Sequence, residues 1–540
     1  MPRLVHALTA LMVTAWVWGD PTRRVLGRME GEFRDHLWVS WLVRERVWVD
    51  HALPTFFPAA NFPDGLSLYP LDPLNQLVLL GLAPLGVLPA FAILTFGLLV
   101  LAGLGADTLA RAAGARAWPA ALAGALYVIG PPVLGVYADT QTEGMGSGWV
   151  LLTLAALVEP APWSRRRVVL LALCASASVL SAPYQAHALT LIGVPLALWR
   201  FRKDVALGAL ALALVAPAVL LAGVGLQTAE THADGQITHR VKGDGDWPPR
   251  TVLRVGVLPP QIDQVAAASP VAVHAWPREA RFLPPTTGPR TAAGWVLPLL
   301  TLLALRERRA RFFVAMAVAY GVLALGSARD YDWTALGDNR IPLPFDLWYR
   351  YFPLGRLAWK AQQYAVLAWA AGCVAVSLAP GGRWLLALVP LELQLTGPTP
   401  LPLPVVAVTP LPVAVALTTS APGGVLEFPC RARGRFGPET LPADDLLHQL
   451  DHGHPIGEAF GRGFNRPRQG VVDALAATAG WVPSSPSVAS ALAFAGESGF
   501  RWLIVHGAAL RPEERERVQA AIPGEPQVFP DGTLLYAVAP

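Results

Sequence analysis

Long apolar runs separated by short polar connections dominate the first four hundred residues. A bilayer core about 30 Å thick needs about 20 apolar residues in a helix, and a helix satisfies its own backbone hydrogen bonds. The pattern therefore predicts a mainly α fold, a polytopic transmembrane helical bundle of about eleven spans. After a first apolar stretch from Leu4 to Trp18, the runs lie at about 88–110, 118–136, 148–160, 167–182, 185–199, 204–222, 292–305, 311–326, 361–379 and 384–398.

Short basic clusters occupy alternate connections between these runs. They read RAAGAR, SRRR, WRFRKD, RERRAR and PGGR, and they begin after the second span. Cytoplasmic loops carry an excess of Lys and Arg. Placing all five clusters in the cytoplasm predicts a cytoplasmic N-terminus and a C-terminal segment on the outer face.

Four connections fall on the predicted outer side, at 19–73, 137–147, 223–291 and 327–360. The first contains GEFRDHLWVSWLVRERVW, in which Trp38, Trp41 and Trp48 recur at helical spacing. An amphipathic helix of this kind is typical of the membrane interface. The following FPAANFPDGLSLYPLDP is rich in Pro, Asp and Asn, which predicts irregular structure.

The pattern changes after about residue 420, where the apolar runs shorten and Gly, His and charged residues return. VLEFP, FRWLIVH and TLLYAV have strand patterns, and RPEERERVQAAI has a helical one. We predict a transmembrane domain over 1–420 and a small extracytoplasmic α/β domain over 421–540. The Pro-rich stretch GPTPLPLPVVAVTPLP would join them as a stiff linker.

Composition agrees with the membrane interpretation, because 53% of the residues are hydrophobic and only 15% are charged. The net charge of +4 does not indicate nucleic-acid binding, since the basic residues sit where the positive-inside rule expects them. Three scattered cysteines form neither a disulfide framework nor a metal motif. A composition rich in Arg, Ala, Gly and Pro with few lysines suggests a GC-rich prokaryotic genome.

Acidic residues on the predicted outer side are the first candidates for chemistry. Glu32, Asp35 and His36 share one face of the predicted helix. Asp139 and Glu143, in ADTQTEGMGSGW, would emerge on the same side. Carboxylates there could hold a divalent cation such as Mg²⁺ or Mn²⁺, or accept a proton from an incoming hydroxyl. The alternatives are a solvated helix face and ordinary loop or capping acids.

Cations in the 327–360 loop are the second group of candidates. Arg356 and Lys360 are four residues apart before the next span, and Arg350 precedes them. They could hold the phosphate of a lipid-linked substrate, since arginine suits bidentate contact. The alternative is that they extend toward lipid headgroups.

Three further groups carry weaker signals. They are Asp244 and Asp246 in GDGDW, the histidines His448, His452 and His454 with Asp451, and Tyr184, Gln185 and His187 at a span junction. The first group resembles the D-x-D triplet of nucleotide-sugar enzymes. The histidines could bind a metal, although their spacing matches no standard zinc pattern. Polar side chains at a span junction more often bond neighbouring helices than act in catalysis.

The order of these features resembles the bacterial membrane proteins that are similar to GT-C glycosyltransferases. The residues that carry the likeness are Glu32-Phe-Arg-Asp35-His36-Leu-Trp38, FPDGLSLYPLDPLNQLVL, GADTLARAAGA, LWYRYFPLGRLAWKAQQYAVLA and the terminal HGHPIGEAF and FRWLIVHG. They extend over nearly the whole chain. Protein O-mannosyltransferases and oligosaccharyltransferases share this architecture.

The resemblance implies transfer of a sugar from a polyprenyl-phosphate donor to a lipid, glycan or protein acceptor, at the outer face of the bacterial inner (cytoplasmic) membrane. It implies a base or metal ligand at Asp35, with Glu32 as the alternative, and assisting acids at Asp139 or Glu143. Arg356 would meet the donor phosphate.

Two other functions remain open: a lipid-carrier flippase or transporter, and a non-catalytic membrane scaffold. A transporter would show charged residues buried within spans and inverted repeats of broken helices. The sequence shows neither feature.

Overall fold

A computed structural model describes residues 3–27, 33–67, 72–138, 140–160, 162–231, 253–255, 271–274, 290–292, 296–324, 344–351, 362–396, 401–429, 445–457, 466–482 and 487–539. The helices of the first part of the chain are α1 (Leu4–Val13), α2 (Phe33–Arg44), α3 (Pro73–Gly81), α4 (Val87–Ala112), α5 (Ala117–Val128), α6 (Pro131–Ala138), α7 (Thr142–Met145), α8 (Ser147–Val158), α9 (Arg165–Ser181), α10 (Pro183–Phe201) and α11 (Val205–Thr231). Those that follow are α12 (Val296–Leu303), α13 (Arg311–Ala324), α14 (Pro344–Tyr351), α15 (Gln362–Leu378), α16 (Gly382–Thr396), α17 (Pro412–Leu417), α18 (Asp445–His452), α19 (Arg466–Ala479), α20 (Val488–Glu497) and α21 (Pro512–Ala521).

The strands are short and form four small sheets. In chain order they are β1 (Arg24–Leu26), β2 (Phe56–Phe57), β3 (Leu66–Ser67), β4 (Leu253–Val255), β5 (Val271–His274), β6 (Arg290–Ala292), β7 (Val405–Ala407), β8 (Gly424–Phe428), β9 (Phe500–His506), β10 (Gln527–Val528) and β11 (Thr533–Ala537). β1 pairs with β7, β2 with β3, and β4, β5 and β6 form an antiparallel three-stranded sheet. The largest sheet has the order β10-β11-β9-β8.

The chain divides into two compact units by its internal contacts. The first unit comprises Met1–Phe33 and Pro70–Val406, and the second comprises Arg34–Tyr69 and Ala407–Pro540. The sequence-based division at residue 420 assigns the first loop to the transmembrane domain. In the structure most of that loop instead belongs to the C-terminal unit.

Each predicted apolar run after the first loop overlaps a helix of the first unit, and the run at 118–136 is divided between α5 and α6. The count of about eleven spans is nevertheless not confirmed, because most of these helices are shorter than a bilayer requires. Among the described residues, Val87–Ala112 and Val205–Ala222 are long and apolar enough to cross a membrane. The pair α5 and α6, bent by 41° at a short break, would make a third span if it crosses as one.

The surface of α11 is that of a helix in an apolar solvent. Val205, Leu212 and Leu220 are all exposed on it. A water-facing monomer rarely exposes a contiguous apolar surface of this kind, whereas a lipid-facing helix requires one. The composition of α11 therefore agrees with a membrane location.

Helices α4 and α8 approach so closely that only glycine fits between them. A Cβ at Gly105 would lie 2.7 Å from the carbonyl oxygen of Gly148, and one at Gly148 would lie 2.5 Å from the backbone of Leu101. Small residues allow such close approach where helices cannot rely on water to drive them together. This contact fixes α8, which begins at Ser147, the last residue of the segment 137–147.

Two of the basic clusters meet at one backbone carbonyl. Arg167 of SRRR donates to the carbonyl oxygen of Glu159 at 2.6 Å, and Arg200 of WRFRKD donates to the same oxygen at 2.7 Å. These two clusters therefore lie at the same end of the first unit, as the positive-inside assignment requires of them.

The second unit is a four-stranded sheet with helices packed on it. β8 and β9 are parallel, and β11 is antiparallel to β9. Leu426, Phe428, Leu503 and Val505 join the hydrophobic core between the sheet and α19, α20 and α21. The predicted strands VLEFP, FRWLIVH and TLLYAV and the predicted C-terminal helix are all present as β8, β9, β11 and α21.

The predicted helix of the first loop is also present, as α2 continued by a π-helix over Glu45–Val49. Its tryptophans do not share one environment, however. Trp38 and Trp41 are buried within the second unit, and Trp48 is 52% exposed. The indole of Trp38 donates to Gln449 Oε1 at 2.6 Å. Of the three tryptophans proposed for the membrane interface, two instead pack inside the protein.

Candidate active site

The segment after α6 carries Glu143 and is buried within the first unit. Thr140, Gln141, Thr142 and Glu143 are all buried, and Glu143 is only 3% exposed. Thr140 has a φ of +59°, and its hydroxyl donates to the carbonyl oxygen of Leu26 at 3.2 Å. A non-glycine residue in the left-handed region is uncommon and is enriched at functional sites.

Side-chain amides satisfy the carbonyls that the broken helices leave open. Asn75 Nδ2 lies 3.0 Å from the carbonyl oxygen of Thr142 and 3.2 Å from that of Ser181. Gln185 Nε2 donates to the carbonyl oxygen of Gly144. Irregular backbone is tolerated inside an apolar bundle only where such partners exist. The amides of α3 and α10 therefore allow this segment to enter the bundle.

A chain of amides extends this polar cluster to α15. Gln185 Nε2 lies 3.2 Å from Gln363 Oε1, and Gln363 Nε2 donates to Gln141 Oε1 at 3.0 Å. Glycine keeps the approach open, since a Cβ at Gly144 would lie 2.8 Å from Gln363 Nε2. We call Asp72, Asn75, Gln141, Glu143, Gln185 and Gln363 the amide cluster.

The helix that carries Arg350 is anchored beside this cluster. Trp348 Nε1 on α14 donates to the Tyr364 hydroxyl at 2.7 Å, and Tyr364 directly follows Gln363. The Tyr364 hydroxyl lies 3.5 Å from His187 Nδ1, and the rings of His187 and Trp348 make an edge contact at 5.6 Å. Arg350 follows Trp348 by two residues on α14. Trp348 contacts Tyr364, the residue next to Gln363 of the amide cluster.

The chemistry of the amide cluster is that of oxygen ligands and proton acceptors. Asp72 is buried and lies within hydrogen-bonding distance of Asn75 and Gln76. The side-chain oxygens of Gln76 and Gln185 are buried and accept no hydrogen bond among the described residues. Carboxylate and amide oxygens suit Mg²⁺ or Mn²⁺ in kind. The arrangement can hold a hard cation or accept a proton.

The predicted site residues fall into three groups. Glu143 lies in the amide cluster, in the first unit. Asp35 is buried in the first turn of α2, in the second unit, where the helix N-terminus favours a carboxylate. Those outside the described residues are Glu32, Asp139, Asp244, Asp246, Arg356 and Lys360, and for Arg350 only the backbone is described.

The histidine group predicted from the sequence is only partly brought together. His448 Nδ1 lies 2.8 Å from Glu427 Oε2, and His506 Nε2 lies 2.8 Å from the same oxygen. His452 Nδ1 instead accepts the backbone N–H of His454. The ring of His454 faces the carbonyls of Gly423 and Leu417. The structure thus replaces the predicted set of three histidines and Asp451 with Glu427, His448 and His506.

Burial and neighbouring charges set the protonation states of His452 and Glu427. Burial lowers the pKa of His452 to about 4, so that its ring is neutral at pH 7. Burial alone would raise the pKa of Glu427, but the two imidazoles that contact it hold that pKa well below its usual range. Glu427 is therefore a carboxylate at neutral pH despite being 2% exposed.

The sequence pattern indicates Gln185 but not the other amides of the cluster, Asn75, Gln141 and Gln363, and it indicates neither Glu427 nor His506 as a ligand. Asp72-Pro73 was a usable signal, because Asp at a helix start followed by Pro at the first helical position is favoured. Gln363 stands at the start of an apolar run, where a polar group in a span suggests function. Sequence spacing could not reveal the pairing itself, since Gln363 and Gln141 are 222 residues apart. Tyr184, Gln185 and His187 lie on α10, and Gln185 does bond neighbouring segments.

Comparison with protein-family models and with curated proteins gave no match. Among solved structures, the chain is similar to the arabinofuranosyltransferase AftD from Mycobacteria, with TM-scores of 0.54, 0.58 and 0.56 and identities of 17%, 16% and 16%. These matches cover 100% of this chain but only 40–42% of the length of AftD. The chain therefore has a GT-C-like fold, as the sequence resemblance implies.

Two further solved structures match at lower TM-scores. One is the oligosaccharyltransferase of Archaeoglobus fulgidus in complex with Zn and sulfate, at 12% identity and a TM-score of 0.48, covering 100% of this chain and 73% of that one. The other is ArnT from Cupriavidus metallidurans bound to undecaprenyl phosphate, at 15% identity and 0.41, covering 99% and 97%.

Proposed function

We propose that this chain is a membrane glycosyltransferase that moves a sugar from a polyprenyl-phosphate donor to a lipid, glycan or protein acceptor at the outer face of a bacterial inner membrane. The observation that carries the proposal is Glu143, a buried acid in the amide cluster of a GT-C-like fold. A polar cluster that encloses an acid inside an apolar bundle suggests function, because charged groups are costly there.

The proposed reaction needs a base and a cationic site for the leaving group. Asp35, with Glu32 as the alternative, accepts the proton of the acceptor hydroxyl as its oxygen attacks the anomeric carbon of the sugar. The new glycosidic bond forms while the bond from that carbon to the phosphate oxygen breaks. Polyprenyl phosphate leaves with the bonding electrons.

The candidate phosphate-binding residues are Arg350, Arg356 and Lys360. Support comes from α14, whose Trp348 contacts Tyr364 next to the amide cluster. Cations there stabilise the negative charge that grows on the leaving phosphate. A divalent metal held by Asp139 and Glu143 would supply further neutralisation of this charge.

The test uses the two acids of the 137–147 segment. Asp139→Asn and Glu143→Gln remove the charge with little change in volume, and we expect at least one of them to lower transfer by about 100-fold or more, the range of general acid–base contributions. Asp204→Asn is the matched control, since Asp204 is exposed in a predicted cytoplasmic connection. Transfer is measured in membranes supplied with polyprenyl-phosphate donors carrying pentoses or hexoses.

Wild-type transfer rates in both variants would overturn the assignment of these acids.

The orientation in the membrane has a separate test, because an alkaline phosphatase fused after Pro540 should be active on the outer face. An inactive fusion would contradict the predicted topology. The contacts of SRRR and WRFRKD with the same carbonyl of Glu159 support placing these two clusters on one side of the membrane.

One observation favours the alternative of a lipid-carrier flippase. The bent pair α5 and α6 leads directly into the buried segment, and broken helices of this type line the binding sites of transporters. A flippase would move the polyprenyl-phosphate-linked sugar across a vesicle membrane without breaking the bond between the sugar and the phosphate. Lipid movement that persists in Asp139→Asn and Glu143→Gln, with no transfer by the wild type, would support it.

A further inference from the structure

A carboxylate and two imidazoles meet in the second unit, on one face of its largest sheet. Leu426 and Phe428 of β8 point into the hydrophobic core. Strand side chains alternate, so Glu427 between them points to the opposite face. His506 at the end of β9 and His448 on α18 approach Glu427 there.

The three groups are close enough to share one ion. His448 Nδ1 and His506 Nε2 each lie 2.8 Å from Glu427 Oε2. One ligand atom from each of the three side chains lies within 4.8 Å of the others. The imidazole rings are 5.3 Å apart between centroids, with an interplanar angle of 37°.

Hydrogen bonding alone leaves this cluster incomplete. Both imidazoles contact Glu427 Oε2. The other carboxylate oxygen, Oε1, is buried and has no hydrogen-bond partner among the described residues. A buried polar atom without a partner costs about 1–3 kcal/mol, and more when it is charged. A cation between the carboxylate and the two ring nitrogens would explain why these side chains converge.

The helix that carries His448 is held in place by the residue that follows it. Gln449 Nε2 donates to the carbonyl oxygens of Ala59 and His454, at 2.8 Å and 3.0 Å. Its Oε1 accepts the indole N–H of Trp38. A rigid scaffold of this kind is what a metal site requires of its surroundings, because it fixes the direction of the ligand. Asp451, three residues after His448, interacts electrostatically with it.

The geometry points to a zinc site formed by Glu427, His448 and His506. Two histidines and one glutamate are a known ligand set for Zn²⁺ with an open fourth position. In tetrahedral zinc the ligand atoms lie about 3.3 Å apart, given metal–ligand distances of about 2.0–2.1 Å. The 2.8 Å separations would widen by about half an ångström, which small side-chain rotations provide. The side chain of His506 is 19% exposed, so water reaches this edge of the site.

The test measures binding of zinc alone to the full-length protein. Protein purified in detergent is stripped with EDTA, dialysed and titrated with Zn²⁺ against a chromogenic chelator, and metal content is measured by mass spectrometry. We expect one zinc per chain. Co²⁺ in its place should give the visible absorption of a four-coordinate centre.

Glu427→Gln and His506→Ala should each lower zinc affinity by at least about 100-fold, since a direct ligand matters more than the outer partners whose loss costs about 10–100-fold. His51→Ala is the control, because His51 is an exposed histidine of the same unit. Circular dichroism of the metal-free variants reports on folding. Should Glu427→Gln misfold, His506→Ala, at the more exposed position, still decides the question.

Two results would overturn the site. One is wild-type protein that retains no stoichiometric zinc in the titration, which would leave a hydrogen-bonded Glu–His cluster. The other is zinc bound by folded Glu427→Gln and His506→Ala as tightly as by wild type, which would place the metal elsewhere. Neither result bears on the transferase proposal, because that proposal uses other residues.

Discussion

The two compact units both bury polar side chains, but these side chains have different hydrogen-bond partners. In the first unit, amides such as Asn75 and Gln185 satisfy backbone carbonyls that broken helices leave open. In the second unit, the backbone of β8 is already paired with β9. There the polar side chains contact one another instead, since His448 and His506 both contact Glu427.

This difference teaches how to interpret a buried polar residue. In an apolar bundle an amide is explained by the carbonyl that it satisfies, whereas buried acids such as Glu143 and Asp72 require a further explanation. In a sheet strand whose backbone already pairs with its neighbour, a buried Glu that contacts two His is not explained by a backbone group that it satisfies. A ligand explains that convergence better than the fold does.

The largest structural effect should come from removing an amide of the first unit. Gln185→Leu leaves the carbonyl oxygen of Gly144 and the amide oxygen of Gln363 without this donor. We expect a loss of about 2–4 kcal/mol, since each buried group without a partner costs about 1–3 kcal/mol. The measurement is the apparent unfolding temperature in detergent. An unchanged value would show that the amide does not support the irregular segment.

A smaller loss of stability is expected when the contact between Trp38 and Gln449 on α18 is removed. Trp38→Phe removes the indole N–H that Gln449 Oε1 accepts. The expected cost is about 1–2 kcal/mol, together with weaker zinc binding, because Gln449 adjoins His448. Trp48→Phe is the matched control at an exposed position of the same segment. Equal effects of the two substitutions would contradict the positioning role of Trp38.

The smallest effect should be pH-dependent and confined to α21. Glu514 accepts the backbone N–H of Arg511 at 2.9 Å and the indole N–H of Trp481 at 3.1 Å. Burial opposes ionisation slightly, but these hydrogen bonds lower the pKa of Glu514 overall. A lowered pKa in the folded state contributes stability above the unfolded value of about 4.3. That stability is lost as pH falls through the folded value.

Glu514→Gln should therefore cost about 0.5–1 kcal/mol at pH 7, the range for helix caps, and less at pH 3.5. Apparent unfolding temperatures of the two proteins at both pH values provide the measurement. A difference that grows on acidification would have the wrong sign and would refute the capping role.

Local structure was largely predictable from the sequence. Apolar runs predicted the helices of the first unit, and period-two segments predicted β8, β9 and β11, because both depend on neighbours within a few residues. The number of spans was not predictable in the same way, since a run such as 118–136 is broken between α5 and α6.

Long-range pairing lay beyond sequence analysis. Trp38 and Gln449 are 411 residues apart, so nothing in the pattern of α2 indicated that it packs in the C-terminal unit. Its amphipathic face suited a lipid interface and a protein core equally well. Of the three side chains that converge, only His448 belonged to the predicted histidine group, because Glu427 and His506 stood in segments that predicted only strands. Strand alternation placed it on the face that His448 and His506 share.

The most direct test of the central proposal is sugar transfer by Asp35→Asn, measured together with its zinc content. We predict that transfer from a polyprenyl-phosphate donor falls by about 100-fold or more while zinc binding stays at the wild-type level, because Asp35 is the proposed base and is not a zinc ligand. Retained zinc would show that the second unit, which contains Asp35, is folded. Transfer at the wild-type rate in this variant would contradict the proposed mechanism.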